Sequence, residues 1–186
     1  MEIYLIRHTM PAVPPDVCYG HADIPLADSF ENDWLVLKSK IPANLDYVFS
    51  SPLLRCRTLA QRLTAKEQRI DLRLRELDFG DWEGKKWDEL DQKELTTWMD
   101  NFVLTGPPNG ESFQQLYTRT TGFWEELAEL SFERIALVTH AGVIRTILAY
   151  LLSIPLKDVF QLSIDYGKVS LIEIDGDRRT VNFINS

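Results

Sequence analysis

Ile135-Ala136-Leu137-Val138-Thr139-His140-Ala141-Gly142-Val143-Ile144-Arg145-Thr146-Ile147-Leu148-Ala149-Tyr150-Leu151-Leu152 is the stretch that decides the fold class. Ile135 to Thr139 is apolar or β-branched without alternation, the pattern of a strand covered on both faces. Val143 to Leu152 is apolar nearly all round at helical spacing and is closed off by Pro155, so it reads as a helix packed against a sheet. Two further runs, Ile3 to Ile6 and Tyr47 to Ser50, have the same buried-strand character and are also followed by helical periodicity. Repeated strand-then-helix units imply an α/β fold with a mainly parallel sheet.

Other local signals fill in the chain. Ser51-Pro52 reads as an N-cap with proline at the first helical position, and Leu53, Cys56, Ala60 and Leu63 form one apolar stripe, predicting a helix from Pro52 to about Thr64. Ser112 and Gln115 make a capping box ahead of Phe113, Leu116, Tyr117, Thr120, Phe123, Trp124, Leu127 and Leu130, which predicts a long amphipathic helix. Val169 to Ile174 and Thr180 to Ile184 are β-rich and joined by Asp175-Gly176-Asp177-Arg178, a hairpin that requires an antiparallel strand at the C-terminal end. Residues 79–110 carry Trp82, Trp87, Trp98 and many charges and end in Gly106-Pro107-Pro108-Asn109-Gly110, so they read as a helical excursion running into a loop. The expectation is a single three-layer α/β/α domain over residues 1–186.

Composition limits the function classes. The chain has 186 residues, 20 Lys plus Arg and 28 Asp plus Glu, for a net charge of −8, with 45% hydrophobic and 26% charged residues. Such a chain buries about 70% of its unfolded surface and needs no staple. The acidic balance argues against nucleic-acid or anionic-membrane partners, which require a basic stripe. Val143 to Leu152 is interrupted by Arg145 and Thr146 and is too short to span a bilayer. With two cysteines, Cys18 and Cys56, and a start of Met-Glu-Ile-Tyr-Leu-Ile, the chain is expected to be cytoplasmic with free thiols.

Of three histidines, His8 and His140 each follow a predicted strand. The carboxyl ends of parallel strands share one sheet edge, so these two can meet there. Arg7 precedes His8, and Arg55 lies in the first turn of a helix that starts at the same edge. Two imidazoles and two guanidiniums at one edge make an anion site whose fork-shaped donors suit phosphate oxygens. His21 reads as a loop histidine near the rim, and Cys56 and Cys18 read as packing residues. There is neither a His-Glu-x-x-His helix nor paired Cys-x-x-Cys, so a zinc hydrolase is not expected and no metal or cofactor is called for.

Four ordered blocks carry a family resemblance: Leu5-Ile6-Arg7-His8-Thr9, Ser50-Ser51-Pro52-Leu53-Leu54-Arg55, Glu76-Leu77-Asp78-Phe79-Gly80-Asp81-Trp82-Glu83-Gly84 and Val138-Thr139-His140-Ala141-Gly142-Val143. In order and spacing they resemble the histidine phosphatase superfamily of the phosphoglycerate mutase-like type, over nearly the whole chain. The resemblance implies a metal-independent phosphomonoesterase. His8 would take the phosphoryl group, Arg7, Arg55 and His140 would hold its oxygens, and Glu76 would protonate the leaving oxygen before water hydrolyses the phosphohistidine. Arg7 and Arg55 disfavour imidazolium and so keep His8 usable as a nucleophile.

Within the superfamily, Arg7-His8-Thr9-Met10-Pro11, Cys18-Tyr19-Gly20-His21-Ala22-Asp23-Ile24-Pro25-Leu26 and Asn109-Gly110-Glu111-Ser112-Phe113 resemble the α-ribazole phosphatase branch, which implies α-ribazole 5′-phosphate as substrate in cobalamin nucleotide-loop assembly. A broad-range phosphatase or phosphoglycerate mutase-type enzyme shares the same catalytic set, and the compact chain favours hydrolysis over transfer. A non-catalytic phospholigand-binding module is the rival from another class. Many superfamily members have Gly-Glu-Thr where this chain has Thr9-Met10-Pro11, which changes the donor geometry after His8. Thr9, Tyr19, Gly20, Trp82, Asn109 and Ser112 are the candidate substrate contacts at the rim, with Trp82 and Trp87 fitting a core role equally well. The partner implied is a small phosphorylated metabolite; no pattern bears on oligomeric state.

Overall fold

The computed structural model describes residues 1–186. In chain order the elements are β1 (Glu2–Arg7), α1 (Phe30–Lys38), β2 (Leu45–Ser50), α2 (Leu54–Ala60), β3 (Ala65–Ile70), α3 (Gln92–Asn101), α4 (Phe113–Ala128), β4 (Arg134–Thr139), α5 (Ala141–Leu152), β5 (Val169–Asp175) and β6 (Arg178–Phe183). The strands form one six-stranded sheet in the order β3-β2-β4-β1-β5-β6. β3, β2, β4 and β1 run parallel, while β5 is antiparallel to β1 and β6 to β5.

The two central strands are apolar on both faces because each face has its own helical layer. Ile3 and Leu5 of β1 and Ile135 and Leu137 of β4 join a core with Leu116, Phe123 and Trp124 of α4 and Val143, Ile144 and Ile147 of α5. The intervening Tyr4, Ile6, Ala136 and Val138 face Phe30, Trp34 and Leu37 of α1 and Cys56 and Leu59 of α2. This three-layer α/β/α arrangement, with the antiparallel hairpin at the C-terminal end, is the fold class read from the sequence.

Several boundaries differ from the sequence expectation. The helix predicted from Pro52 to Thr64 is limited to Leu54–Ala60. Ser51 does not cap it: its Oγ, 2.8 Å from His140 Nε2, accepts from the Leu53 amide at 3.4 Å, one residue before the helix starts. The Leu54 amide instead donates to Asp23 Oδ1 at 2.6 Å, a cap supplied by a distant loop. The excursion at 79–110 is less helical than expected: it holds two short 3₁₀ turns, Gly80–Trp82 and Trp87–Glu89, and a single α-helix, α3. The Ser112 capping box is present as read, with the Ser112 and Gln115 side chains each accepting from the other's amide. Helix α5 ends on Ser153 in the left-handed conformation (φ 55°), two residues before Pro155.

Leu137 lies in the middle of the sheet and is fully buried. Leu137→Ala is expected to lower unfolding stability by about 2–5 kcal/mol, the usual range for a truncated core leucine. Urea denaturation followed by circular dichroism measures this, and a loss within experimental error would show that the site collapses around the cavity.

Candidate active site

β1 and β4 are paired in register, Arg7 opposite Thr139, so the residues that follow them leave the sheet side by side. The His8 amide donates to the Thr139 carbonyl at 3.0 Å and the Ser51 amide to the Val138 carbonyl at 3.0 Å, which extends the ladder past the strand ends and fixes three chain segments together. The His8 and His140 rings consequently meet edge to face, with centroids 5.1 Å apart.

His8 Nδ1 lies 2.7 Å from the Thr9 carbonyl oxygen, which can only accept, so Nδ1 carries the proton and Nε2 presents its lone pair. Arg55 Nε donates toward that Nε2 at 3.3 Å. The Arg55 guanidinium is fully buried, and its two terminal nitrogens each donate once, Nη2 to the Gly20 carbonyl (2.6 Å) and Nη1 to that of Ala22 (2.8 Å). No carboxylate pairs with it. Arg7 lies over the Tyr166 ring at 3.6 Å and donates to the Ile164 carbonyl, while its buried Nε has no partner. A buried guanidinium and a half-buried one, neither neutralised by a carboxylate, favour an anion.

Glu76 completes the cluster. Its carboxylate accepts from the Gly142 amide at 3.1 and 3.2 Å and from the Leu77 amide at 3.0 Å. The first turn of α5 thus holds it. A Cβ at position 142 would lie 2.3 Å from Glu76 Oε1, so only glycine permits this approach. The structure therefore brings Arg7, His8, Arg55, Glu76 and His140 together.

Arg7 and Glu76 of the cluster line a cleft of about 230 Å³ whose other walls include Tyr19, Phe79, Trp87, Gly142, Arg145, Phe160 and Tyr166, while His8, Arg55 and His140 are buried and do not line it. The Tyr19 and Tyr166 hydroxyls are hydrogen-bonded at 2.5 Å, and the Tyr166 ring centroid is 5.5 Å from that of His8. Tyr19 is the rim candidate that lines the cleft. Gly20 is buried instead, with its carbonyl on Arg55, and an added Cβ there would collide with the Leu77 carbonyl at 1.9 Å. Thr9 is fully buried with its hydroxyl unpartnered, and does not line the cleft.

Trp82 is 3% exposed and packs with Cys18 and Leu90, so its core reading holds and its rim reading does not. Asn109 bonds to Asp81, and Ser112 caps α4; neither lines the cleft. Their loop packs on the Asp78–Asp81 turn, where the Asp81 amide donates to the Pro108 carbonyl and that of Glu111 to Asp78. His21 is likewise structural, with Nε2 2.9 Å from the Glu76 carbonyl and Nδ1 3.2 Å from Asp78.

Sequence reading missed Arg145, Tyr166, Phe160, Trp87 and Phe79 as cleft residues. Only Arg145 left a signal there, as the one charge inside an apolar helix. Its Nε donates to the Leu162 carbonyl at 3.1 Å, it lies 5.3 Å from the Phe160 ring centroid, and it has no acidic partner. Burial lowers its pKa. Both cysteines are buried and unpaired. Burial pushes the Cys18 thiol up to about 12 and raises that of Cys56 despite Arg55, so neither is a nucleophile.

Residues 3–186 match the profile of the histidine phosphatase superfamily (branch 1). The chain belongs to this superfamily and is a phosphatase. It is 29% identical, over 100% of its length and 96% of the relative's, to the adenosylcobalamin/alpha-ribazole phosphatase of Escherichia coli (strain K12). It is also 24% identical to phosphoserine phosphatase 1 of Hydrogenobacter thermophilus, over 100% of this chain and 92% of that one. The crystal structure of the alpha-ribazole phosphatase from Shigella flexneri superposes with a TM-score of 0.89 at 29% identity, covering 100% of this chain and 96% of that chain.

Both site imidazoles are held neutral. For His8 burial lowers the pKa well below the usual histidine value, aided by Arg55 and Arg7 and opposed by the Thr9 carbonyl. For His140 burial again leads, followed by His8 and Arg55. In the unfolded chain each takes a proton near pH 6.5, roughly the ordinary value. Below that pH the unfolded state binds more protons, so stability falls as pH drops through about 6.5 and is flat above it. Urea unfolding at about pH 7.5 and about pH 5.5 is expected to show a smaller acid loss in His8→Asn than in the wild type. Equal losses would remove His8 as a source.

Proposed function

We propose that residues 1–186 form one catalytic unit that hydrolyses small phosphomonoesters through a phosphohistidine at His8, without a metal. The observation that carries this reading is the His8 Nε2 lone pair, fixed by the Thr9 carbonyl and set among guanidiniums that no carboxylate neutralises. In the first step Nε2 attacks phosphorus, the bond to the ester oxygen breaks, and Glu76 gives that oxygen its proton. In the second, Glu76 takes a proton from water, whose oxygen attacks phosphorus as the P–N bond breaks and inorganic phosphate leaves. Arg7, Arg55 and His140 hold the equatorial oxygens, where charge is concentrated in the transition state. The protein groups supply the charge stabilisation themselves, and no three His, Cys, Asp or Glu side chains are grouped as metal ligands.

For the substrate we propose α-ribazole 5′-phosphate. Tyr19, Phe79, Trp87, Phe160 and Tyr166 give the cleft aromatic walls on which a flat benzimidazole can stack, and the named activity of the Escherichia coli and Shigella flexneri relatives points the same way. Two free, buried thiols suit a reducing cytoplasm, and no helix is long and apolar enough to cross a membrane. Arg145 favours a second reading. A cleft-wall cation with no acidic partner suits a leaving group that carries a carboxylate, as in phosphoserine or a phosphoglycerate.

Comparing kcat/KM for α-ribazole 5′-phosphate, phosphoserine and 3-phosphoglycerate separates the two. The first is expected to be highest, and a preference for either carboxylate substrate would overturn the assignment. Arg145→Gln is expected to raise KM for carboxylate substrates at least about tenfold, the cost of one charge-assisted bond, with little change for α-ribazole 5′-phosphate. For the mechanism, His8→Ala is expected to abolish turnover. Glu76→Gln is expected to slow alkyl phosphates by about 10²–10⁴ and aryl phosphates far less, because a phenolate needs little protonation on leaving. Equal losses on the two substrate types would take Glu76 out of the acid role.

A further inference from the structure

The Glu76 segment is gripped from outside the cleft by side chains that do not line it. Arg119, on α4, donates from Nη1 to the carbonyls of Arg73 (2.6 Å) and Arg75 (2.8 Å) and from Nη2 to that of Glu76 (2.8 Å). Its other edge forms a two-bond fork with the Glu111 carboxylate, Nε to Oε1 and Nη2 to Oε2, both at 2.8 Å. Glu111 in turn accepts from the Asp78 amide at 3.4 Å. His21 Nε2 places a second donor on the Glu76 carbonyl, 2.9 Å away. Both lone pairs of that carbonyl are therefore occupied.

This grip is unusual for a connecting segment. The stretch from Arg75 to Phe79 belongs to neither a helix nor the sheet, so no regular ladder holds its carbonyls. One guanidinium supplies donors to two of these carbonyls, Arg75 and Glu76, and to that of Arg73 in the turn before them, and Glu111 keeps that guanidinium oriented. Inside the cleft the Gly142 amide holds the other end of the same residue, its carboxylate. Peptide plane and carboxylate are thus fixed independently, leaving Glu76 little rotational freedom toward the leaving oxygen.

We propose that Arg119, oriented by Glu111, is a positioning residue for the acid and base work of Glu76. The inference rests on the role given to Glu76 above. It assigns to the α4 guanidinium a function in the protonation step and none in holding the phosphoryl group. Lysine cannot substitute, since one ammonium cannot span three carbonyls and a carboxylate fork.

The test compares Arg119→Lys, Glu111→Gln and Glu76→Gln on an alkyl phosphate and on p-nitrophenyl phosphate, with inhibition by inorganic phosphate measured alongside. The ratio of the two kcat values is independent of how much of each variant is folded, because the same folded molecules turn over both substrates. Arg119→Lys is expected to lower the alkyl-to-aryl ratio between about tenfold and about a hundredfold, the scale of a misplaced catalytic group. Glu111→Gln, which is isosteric, is expected to move the ratio the same way by less, and phosphate inhibition is expected to stay within about twofold of the wild type in both. An unchanged ratio in both variants, with Glu76→Gln still selective, would overturn the positioning role alone. A Glu76→Gln variant without selectivity would overturn the mechanism first and this inference with it.

Discussion

Arg55 is the constraint around which this structure is arranged. A guanidinium with no exposed surface and no carboxylate beside it has given up its hydration without gaining a counter-charge, at a cost of several kcal/mol. Two backbone carbonyls and an imidazole nitrogen take three of its five N–H donors, and a carbonyl is only a partial negative charge. Arg7 nearby is half-buried at the cleft wall and also lacks a carboxylate, its buried Nε without an acceptor. The molecule thus carries a deficit of negative charge at one point, and a phosphoryl group would fill it. Burial, aided by the same guanidiniums, keeps His8 unprotonated, so the charges that favour the anion also help prepare the group that attacks it.

The sheet makes this arrangement possible. β1 and β4 are adjacent and parallel, which delivers Arg7, His8 and His140 to one edge in fixed register, while β2 brings Ser51 and then Arg55 to the same edge. Two helical layers clamp these strands, so the cluster stands on the most rigid part of the fold. Glu76 comes from chain that directly follows no strand, and around it the structure places side-chain hydrogen bonds from Arg119 and His21 and a backbone one from the Gly142 amide. The aromatic walls come from the loops at 15–19, 79–87 and 160–166, the parts of such folds free to change with substrate.

What the sequence made legible follows from these physical differences. Ile3 to Ile6 and Ile135 to Thr139 announce themselves because burial on both faces leaves no polar position. β3, Ala-Lys-Glu-Gln-Arg-Ile from Ala65, does not, because an edge strand with exposed side chains carries no apolar signature. Helix α1 has its buried positions at Phe30, Trp34 and Leu37, but exposed Leu35 and Val36 beside them blur the stripe. Strand ends predict where His8 and His140 meet; nothing local predicts that Asp23 caps α2 or that Ser51 turns to His140. Trp82 and Asn109 share the sequence neighbourhood of the cleft without reaching it, since a loop's side-chain directions are set by the loops it packs on. Arg145 was visible as a charge in an apolar helix, yet its meaning required knowing which face of α5 lines the cleft.

The proposed function stands or falls on whether an imidazole in a cation-lined cup transiently carries the phosphoryl group. Rapid quenching in alkali during turnover of a ³²P-labelled phosphomonoester, followed by peptide mapping, tests it most directly. Base-stable, acid-labile label is expected on the peptide containing His8, formed no more slowly than turnover and absent in His8→Ala. Turnover with no protein-bound label on the enzyme's own timescale, or label on a peptide other than that of His8, would contradict it.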